Sequence, residues 1–468
     1  METIPTTPFN LFERLNRWIQ ESIMVKLFSI GFLIIILLIP SAWIQELIYE
    51  RQVRAEDAIH EVASKWSGNQ TISGPVLVIP FRKQEVIDRG KDGTEVHERI
   101  EKAFFLPETL DINGTVNPEM LHRGIFDAVV YKSVLNVNAT FAKPDFKLLS
   151  IPEDKVLWNE AYMVLGITDL RGISENPVFT SGGELLTAEP SNDIGVSVGN
   201  HTGRDNSTAR YTTPEGTTFT SLGISSKLPW QNAESFNPDV AITLNLKGSE
   251  RLDFVPAGKT TTVGISSPWN DPSFDGEFLP ATRSVSEKGF DATWKVLHFN
   301  RPFSQQWTQD NQQLSGSDFG VKLLIPVDQY QKSIRTSKYG ILMILLTFVA
   351  LFLVEITQKI RIHPFQYILI GAALIIYYTL LLSFSEHMGY NLAYIIASLA
   401  TVILVGLYSS SFLQNKKLVT LFSLLLLIFY TFIFVIILQQ DYSLLLGSIG
   451  LFLIIGLLMY FSRKVKWY

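Results

Sequence analysis

Ser385, Glu386 and His387 stand side by side in TLLLSFSEHMGYNLAYIIASLA, residues 379 to 400, with apolar runs on both sides. A hydroxyl, a carboxylate and an imidazole so deep in oily sequence could transfer a proton, hold a metal, bind a partner or mark a turn. Ionisable groups at membrane depth are functional candidates by default, because burying a charge in hydrocarbon is costly. A metal needs more ligands. The next histidine in that region, His363, lies 24 residues earlier, about 36 Å along a helix, so it cannot share an ion with His387. An interfacial, turn-forming role for Glu386 and His387 is the simpler reading. A proton-linked or partner-binding role is the sharper one.

The second chemically dense stretch is SSPWNDPSFDGEFLPATR, residues 266 to 283. Trp269, Phe274 and Phe278 alternate with Asp271, Asp275 and Glu277, and Pro268, Pro272 and Pro280 stiffen the path. Three carboxylates that close could contribute to a calcium site, which takes six to eight oxygens. An ordered loop with its aromatic residues pinned to a core and its acids in water is the favoured reading, with partner recognition left open. The candidate functional residues are therefore Trp269, Asp271, Phe274, Asp275, Glu277, Glu386 and His387. No P-loop, dinucleotide fingerprint, H-E-x-x-H helix or G-x-S-x-G elbow is present, and Ser266-Ser267 lacks the second flanking glycine of a nucleophile turn. No catalytic residue, metal or cofactor is expected.

The elements that must position these residues follow from composition. The 468 residues are 47% hydrophobic and 18% charged, with a net charge of −5 that gives no case for nucleic acid. Cysteine is absent, so neither disulfides nor thiolate chemistry are available. The apolar excess is concentrated: residues 339 to 462 are almost free of charge, whereas 50 to 335 read as an ordinary globular segment. About 20 apolar residues cross the hydrocarbon of a bilayer. Six segments qualify, at 27–45, 339–356, 365–385, 391–411, 418–438 and 443–462. Lys359 and Arg361, Lys416 and Lys417, and Arg463, Lys464 and Lys466 mark alternate ends as cytoplasmic, which puts both termini inside. The first span reads as an uncleaved signal anchor, and a helix is expected to continue from it over 46–66. Ala393 and Ala397 form a small-residue face for helix packing, and Glu355 has Lys359 as an i+4 partner.

Between spans one and two the period changes to two. SVLNVNATF (133–141) and AITLNLKG (241–248) alternate apolar with Asn and Thr, as half-buried strands do. GPVLVIPF, TTTVGIS and DATWKVLHF read as further strands. Asp92-Gly93, Asn113-Gly114, Gly182-Gly183 and Pro256-Ala257-Gly258 read as turns. The expected fold class is an integral membrane protein with six transmembrane α-helices and a large β-rich, sandwich-like domain outside, between helices one and two. The expected divisions are a cytoplasmic segment 1–26, the first span 27–45, the β-rich domain 46–336 and a five-helix bundle 337–468.

RGIF (123–126), TDLRGI (168–173), PWNDPSFDGEFLP (268–280), SKYGILMILLTFVALFLVE (337–355), HPFQYILIGAAL (363–374), LLLSFSEHMGYNLAYIIA (380–397), DYSLLLGS (441–448) and the terminal RKVKWY resemble the CreD family of bacterial inner-membrane proteins. The resemblance runs in the same order through nearly the whole chain. It implies the cytoplasmic membrane of Gram-negative bacteria, a periplasmic β-domain, a role in cell-envelope integrity with altered tolerance to colicins and β-lactams, and control by a two-component system. It supplies no catalytic residues. The leading expectation is a non-enzymatic protein that contacts the lipid bilayer and binds envelope proteins or lipid and glycan components. The alternative is a transporter or membrane enzyme for a lipid-linked substrate, with Glu386 and His387 as its polar centre.

Overall fold

The computed structural model describes residues 23–88, 94–191, 196–197, 222–308, 312–314, 316–323, 328–358, 360–413, 415–439 and 442–463. The chain divides into a helical unit, Met1–Glu56 with Pro326–Tyr468, and a β-rich unit, Asp57–Ile325.

Seven helices are described: α1 (Ile23–Trp66), α2 (Asp328–Lys338), α3 (Gly340–Gln358), α4 (Pro364–Met388), α5 (Tyr390–Ser409), α6 (Lys416–Leu438) and α7 (Ser443–Ser462). Five of them, α1 and α3 to α6, are long and apolar enough to cross a membrane, and α7 adds a shorter apolar stretch, Leu445–Gly456. Their surfaces agree with a lipid environment: Phe28 is 81% exposed and Phe452 77%, an arrangement that water would penalise. The 44 residues of α1 span about 66 Å at 1.5 Å per residue, twice a bilayer core, as the continuation over 46–66 requires. His363 caps α4, its Nδ1 accepting from the Phe365 amide at 3.2 Å, and Pro364 occupies the first helical position, where no amide donor is needed. Gly389 alone separates α4 from α5, at φ 77°, where a side chain would be strained. Ala393 and Ala397 are fully buried.

Helix α2 had no counterpart in the apolar pattern. The reason is chemical: the face it buries carries Tyr330, Ser333, Thr336 and Ser337, so its helical period is written in hydroxyl groups, to which a hydropathy pattern is blind.

In the β-rich unit, two mixed sheets of nine and eight strands enclose one continuous apolar core. The two alternating segments noted above are neighbours. Strand Phe126–Thr140 pairs antiparallel with Asp239–Ser249, setting Leu135 opposite Leu244 and Val137 opposite Ile242 on the core side, with Asn136 opposite Thr243 on the other. That match of period and register holds a sheet in place, because a slip by one residue would expose every apolar side chain. Gly182 and Gly183 turn a hairpin at φ 58° and 85°, the paired positive values that a tight hairpin demands. Asn113-Gly114 is not a turn, contrary to expectation. It lies within strand Thr109–Arg123, where the missing side chain of Gly114 makes room for Leu135 and Ile265. Asp92-Gly93 lies outside the described residues.

Candidate functional site

Glu386 sits in the last turn of α4, and its carboxylate, 9% exposed, is taken from two sides. Arg51 of α1 donates through Nε to Oε1 at 2.8 Å and through Nη2 to Oε2 at 2.9 Å, the forked geometry that makes guanidinium–carboxylate pairs strong. The hydroxyl of Tyr330, on α2, donates to Oε1 at 3.0 Å. The segments that leave and re-enter the helical unit in sequence, α1 and α2, are thus clasped to the same carboxylate. His387 takes no part and is exposed. Ser385 is buried, with its hydroxyl donating to the Leu382 carbonyl at 2.8 Å within the helix.

A second clasp of the same composition closes the other end of α1. Lys26 donates to Glu355 Oε1 at 2.7 Å, the Tyr367 hydroxyl donates to Oε2 at 3.0 Å, and the Ile362 amide donates to Oε1 at 3.3 Å. Glu355 is 3% exposed. Its expected partner Lys359 lies outside the described residues. Lys26 and Arg51 are twenty-five residues apart in one helix, about 38 Å, somewhat more than the roughly 30 Å of hydrocarbon in a bilayer. Each clasp therefore fits an interface, where a cation from α1 offsets the carboxylate's charge and a tyrosine hydroxyl donates a further hydrogen bond to it.

Between the clasps the interior is filled with rings. Tyr377 lies edge-on to Tyr378 and Tyr394, at 4.9 and 5.9 Å between centroids, and 4.7 Å from Tyr430. The Tyr394 hydroxyl donates to the Tyr430 carbonyl at 2.7 Å, and Thr336 and Tyr390 share a hydrogen bond of 2.6 Å. These contacts join helices by packing and hydrogen bonding, the two forces available inside lipid.

Residues 266 to 283 are not a single loop, contrary to expectation: Pro272–Gly276 is a strand paired antiparallel with Phe319–Leu323, and the aromatic residues pack on the core as the simpler reading expects. Phe274 meets Phe290 and Trp294 edge-to-face at 5.6 and 5.7 Å, Phe278 meets Phe319 at 5.9 Å, and the Trp269 indole donates to the Asp271 carbonyl at 3.0 Å. The acids diverge: Asp275 accepts from Arg251 at 2.9 Å, while Asp271 and Glu277 are exposed. Among the described residues, no three acidic or imidazole groups are arranged to hold a metal.

Sequence reasoning missed a charge cluster under this segment. Arg251, 13% exposed, also donates to Asp253, which is 5% exposed, and Asp318 lies close enough to act on both electrostatically. Burial pushes the Asp253 carboxyl up to about 6, with Asp318 and Asp275 adding to the rise, against the pull of Arg251. A raised carboxyl favours the protonated form in the fold. Its contribution is fully present below the unfolded value near 4 and is lost as pH rises through 6, on the order of 3 kcal/mol at roughly 1.4 kcal/mol per pH unit. The opposite contributions of Asp169 and Asp275, whose carboxyls are lowered, vanish only in stronger acid. Between pH 7 and 5, melting of the β-rich unit is expected to move upward, and Asp253→Asn, which keeps an acceptor for Arg251, is expected to flatten that rise. A carbon-detected NMR titration placing Asp253 below 4 would refute the account.

The comparisons with known proteins cover nearly the whole chain. A family model described as "Inner membrane protein CreD" matches residues 22–468. The chain is 32% identical over 454 residues to the "Inner membrane protein CreD" of Escherichia coli (strain K12), covering 96% of this chain and 95% of that one. Several apolar helices, a large β-rich unit and a match that spans both make the chain a member of the CreD family of inner membrane proteins.

Proposed function

We propose that the protein supports cell-envelope integrity without covalent chemistry, by holding its β-rich unit in the periplasm between the first and second of six spans and binding envelope polysaccharide with it. One observation carries the ligand class. On the outward face of the eight-stranded sheet, a concavity of about 380 Å³ is lined by Asn113, Thr115, Asn136, Ser266, Thr293 and the single carboxylate of Asp291. Amides and hydroxyls both donate and accept, which suits a polyhydroxylated ligand better than an ion or a hydrocarbon. Gly264 opens the floor: a Cβ there would meet only the Asn113 side chain, its Oδ1 at 2.8 Å. The volume falls within the range of small-ligand sites.

The aromatic residues of segment 266–283 no longer support a recognition role, since they pack on the core. The transport reading finds no support either, because Glu386 is paired with Arg51 and accepts a hydrogen bond from Tyr330, while His387 is exposed.

The absence of cysteine makes a direct test available. Asn136→Cys in the full chain is expected to react with a membrane-impermeant maleimide added to intact spheroplasts, and the labelled protein is expected to lose at least about fivefold in co-sedimentation with insoluble envelope polysaccharide. Gly264→Val, a residue well suited to a strand, should lower binding equally while melting like the parent. Labelling only after lysis would overturn the topology. Undiminished co-sedimentation of both variants would overturn the site.

A further inference from the structure

Lys132 and Lys247 stand directly opposite one another on neighbouring strands of the eight-stranded sheet, on the outward face that also holds the concavity of Asn113, Thr115 and Asn136. Like charges across a strand pair repel, and long flexible side chains in that position can splay into water. These two do not. Both ammoniums converge on the indole of Trp66, at 5.8 and 5.1 Å from the ring centroid. Attraction of each cation to the ring offsets part of the repulsion and keeps the two charges together.

The frame beneath them is fixed. Gln70 is fully buried, and its Nε2 donates to Ser67 Oγ at 2.7 Å and to the Lys247 carbonyl at 3.1 Å. The residue that follows Trp66 is thus tied to the strand carrying Lys247. The Ser133 hydroxyl donates to the Leu246 carbonyl at 3.0 Å and joins the two lysine strands.

The charges on this part of the face do not cancel. Lys132 donates to Glu119 at 2.6 Å, an exposed pair of small net strength, and its ammonium keeps two further N–H bonds. Glu175 is taken up by Asn245, which donates to it at 2.8 Å. Among the described residues, Lys247 has no carboxylate partner and only the Trp66 ring beneath its ammonium.

The register connects this cationic pair to the concavity. Asn136, Val134 and Lys132 are successive outward residues of one strand, so Lys132 lies about 7 Å beyond Val134 and about 14 Å beyond Asn136. Val134 lines the concavity and is 40% exposed, an apolar step of the kind that the C–H face of a sugar ring covers. Asp291 is level with Val134 but three strands away, about 14 Å, beyond the screening length of about 8 Å at physiological salt. The two sides of the face therefore differ in sign.

We infer that the polysaccharide bound at the concavity is acidic, with a carboxylate or phosphate seated on Lys132 and Lys247 and the adjoining neutral sugars over Val134 and Asn136. The inference rests on the polysaccharide reading and adds to it the charge of the ligand and the direction in which the ligand lies. An anion relieves the lysine repulsion that the empty face carries, and a neutral glycan does not.

The test uses the full-length protein in detergent and three soluble oligosaccharides of one backbone. The first bears glucuronate, the second is the same glycan with its carboxyls reduced to alcohols, and the third is that neutral form phosphorylated at its primary hydroxyls. In titration calorimetry both acidic forms are expected to bind at least about fivefold tighter than the neutral one, the scale of two exposed charge contacts. Lys132→Gln combined with Lys247→Gln should bring all three to parity and melt within a few degrees of the parent, since repulsion and cation–π attraction are lost together. Lys295→Gln removes a cation from the same face in a different strand and should keep the preference. Equal affinity of the parent for acidic and neutral forms would overturn the inference and leave the polysaccharide reading standing. Loss of the preference in Lys295→Gln would overturn it too, because the attraction would then be diffuse. Binding of none of the three would overturn both readings. If inorganic phosphate raises the melting temperature only when both lysines are present, while the three oligosaccharides bind alike, the anion is a free one and the inference falls.

Discussion

Lys26→Met is expected to lower the stability of the detergent-solubilised protein by about 3 kcal/mol, the lower part of the range for removing one partner of a buried pair. The carboxylate it abandons is 3% exposed and would retain only the Tyr367 hydroxyl and the Ile362 amide, both neutral donors. Lys26 is itself 29% exposed, and this keeps the cost from the upper end. The more informative variant is the double, Lys26→Met with Glu355→Leu, which removes both charges together. Apolar replacement of a whole buried pair is often neutral, so the double should recover much of the loss even though it leaves the Tyr367 hydroxyl without its acceptor. Melting curves of parent, single and double variants in the same delipidated state check this. A single variant as stable as the parent would show that Glu355 is not held as a carboxylate by Lys26.

The Arg51–Glu386 pair gives the second large effect, and it bears on function as well as stability. Arg51→Gln and Glu386→Gln should each cost about 2 kcal/mol, less than a fully buried pair because Arg51 is 28% exposed. A double-mutant cycle should return a coupling of about 1–2 kcal/mol, as for residues that share a hydrogen-bonded network. Tyr330→Phe should cost about 1 kcal/mol, a single hydrogen bond. Envelope permeability measured in cells carrying Glu386→Gln should then track the loss of folded protein. Normal protein levels together with a full envelope defect would instead point to a chemical role for this carboxylate and revive the transport alternative.

The two clasps explain why some of the site was legible and some was not. Glu386 and Glu355 announced themselves, since a carboxylate within or beside an apolar span is expensive unless paired. Their partners did not. Lys26 reads as an ordinary basic flank of a first span, and Arg51 is one charge among many in YERQVRAED. Their separations from the carboxylates, 329 and 335 residues, are beyond anything that local spacing can encode. His387 received the same weight as its neighbour in the sequence, and only the helix face it occupies separates them. In residues 266 to 283, the alternation of aromatic and acidic residues was visible. That the aromatic side chains meet Phe290, Trp294 and Phe319 was not, because those contacts close between strands distant in sequence.

What the amino-acid order determined by itself is whatever rests on local periodicity and length. The apolar segments, the continuation of α1 past the first span, the alternating strands and the glycine turn at 182–183 all follow from local sequence pattern. What only the tertiary structure decided is every feature that depends on which elements meet: the union of two sheets around one core, the placement of Asn113-Gly114 inside a strand, the hydroxyl-faced helix α2, the Arg251–Asp253 cluster and the cation–carboxylate–tyrosine clasps. The physical reason is the same in each. Hydrophobic burial is non-directional and leaves a pattern along the chain, whereas a hydrogen bond or ion pair exists only where two groups are brought within about 3 Å, and the chain records the groups without recording the meeting.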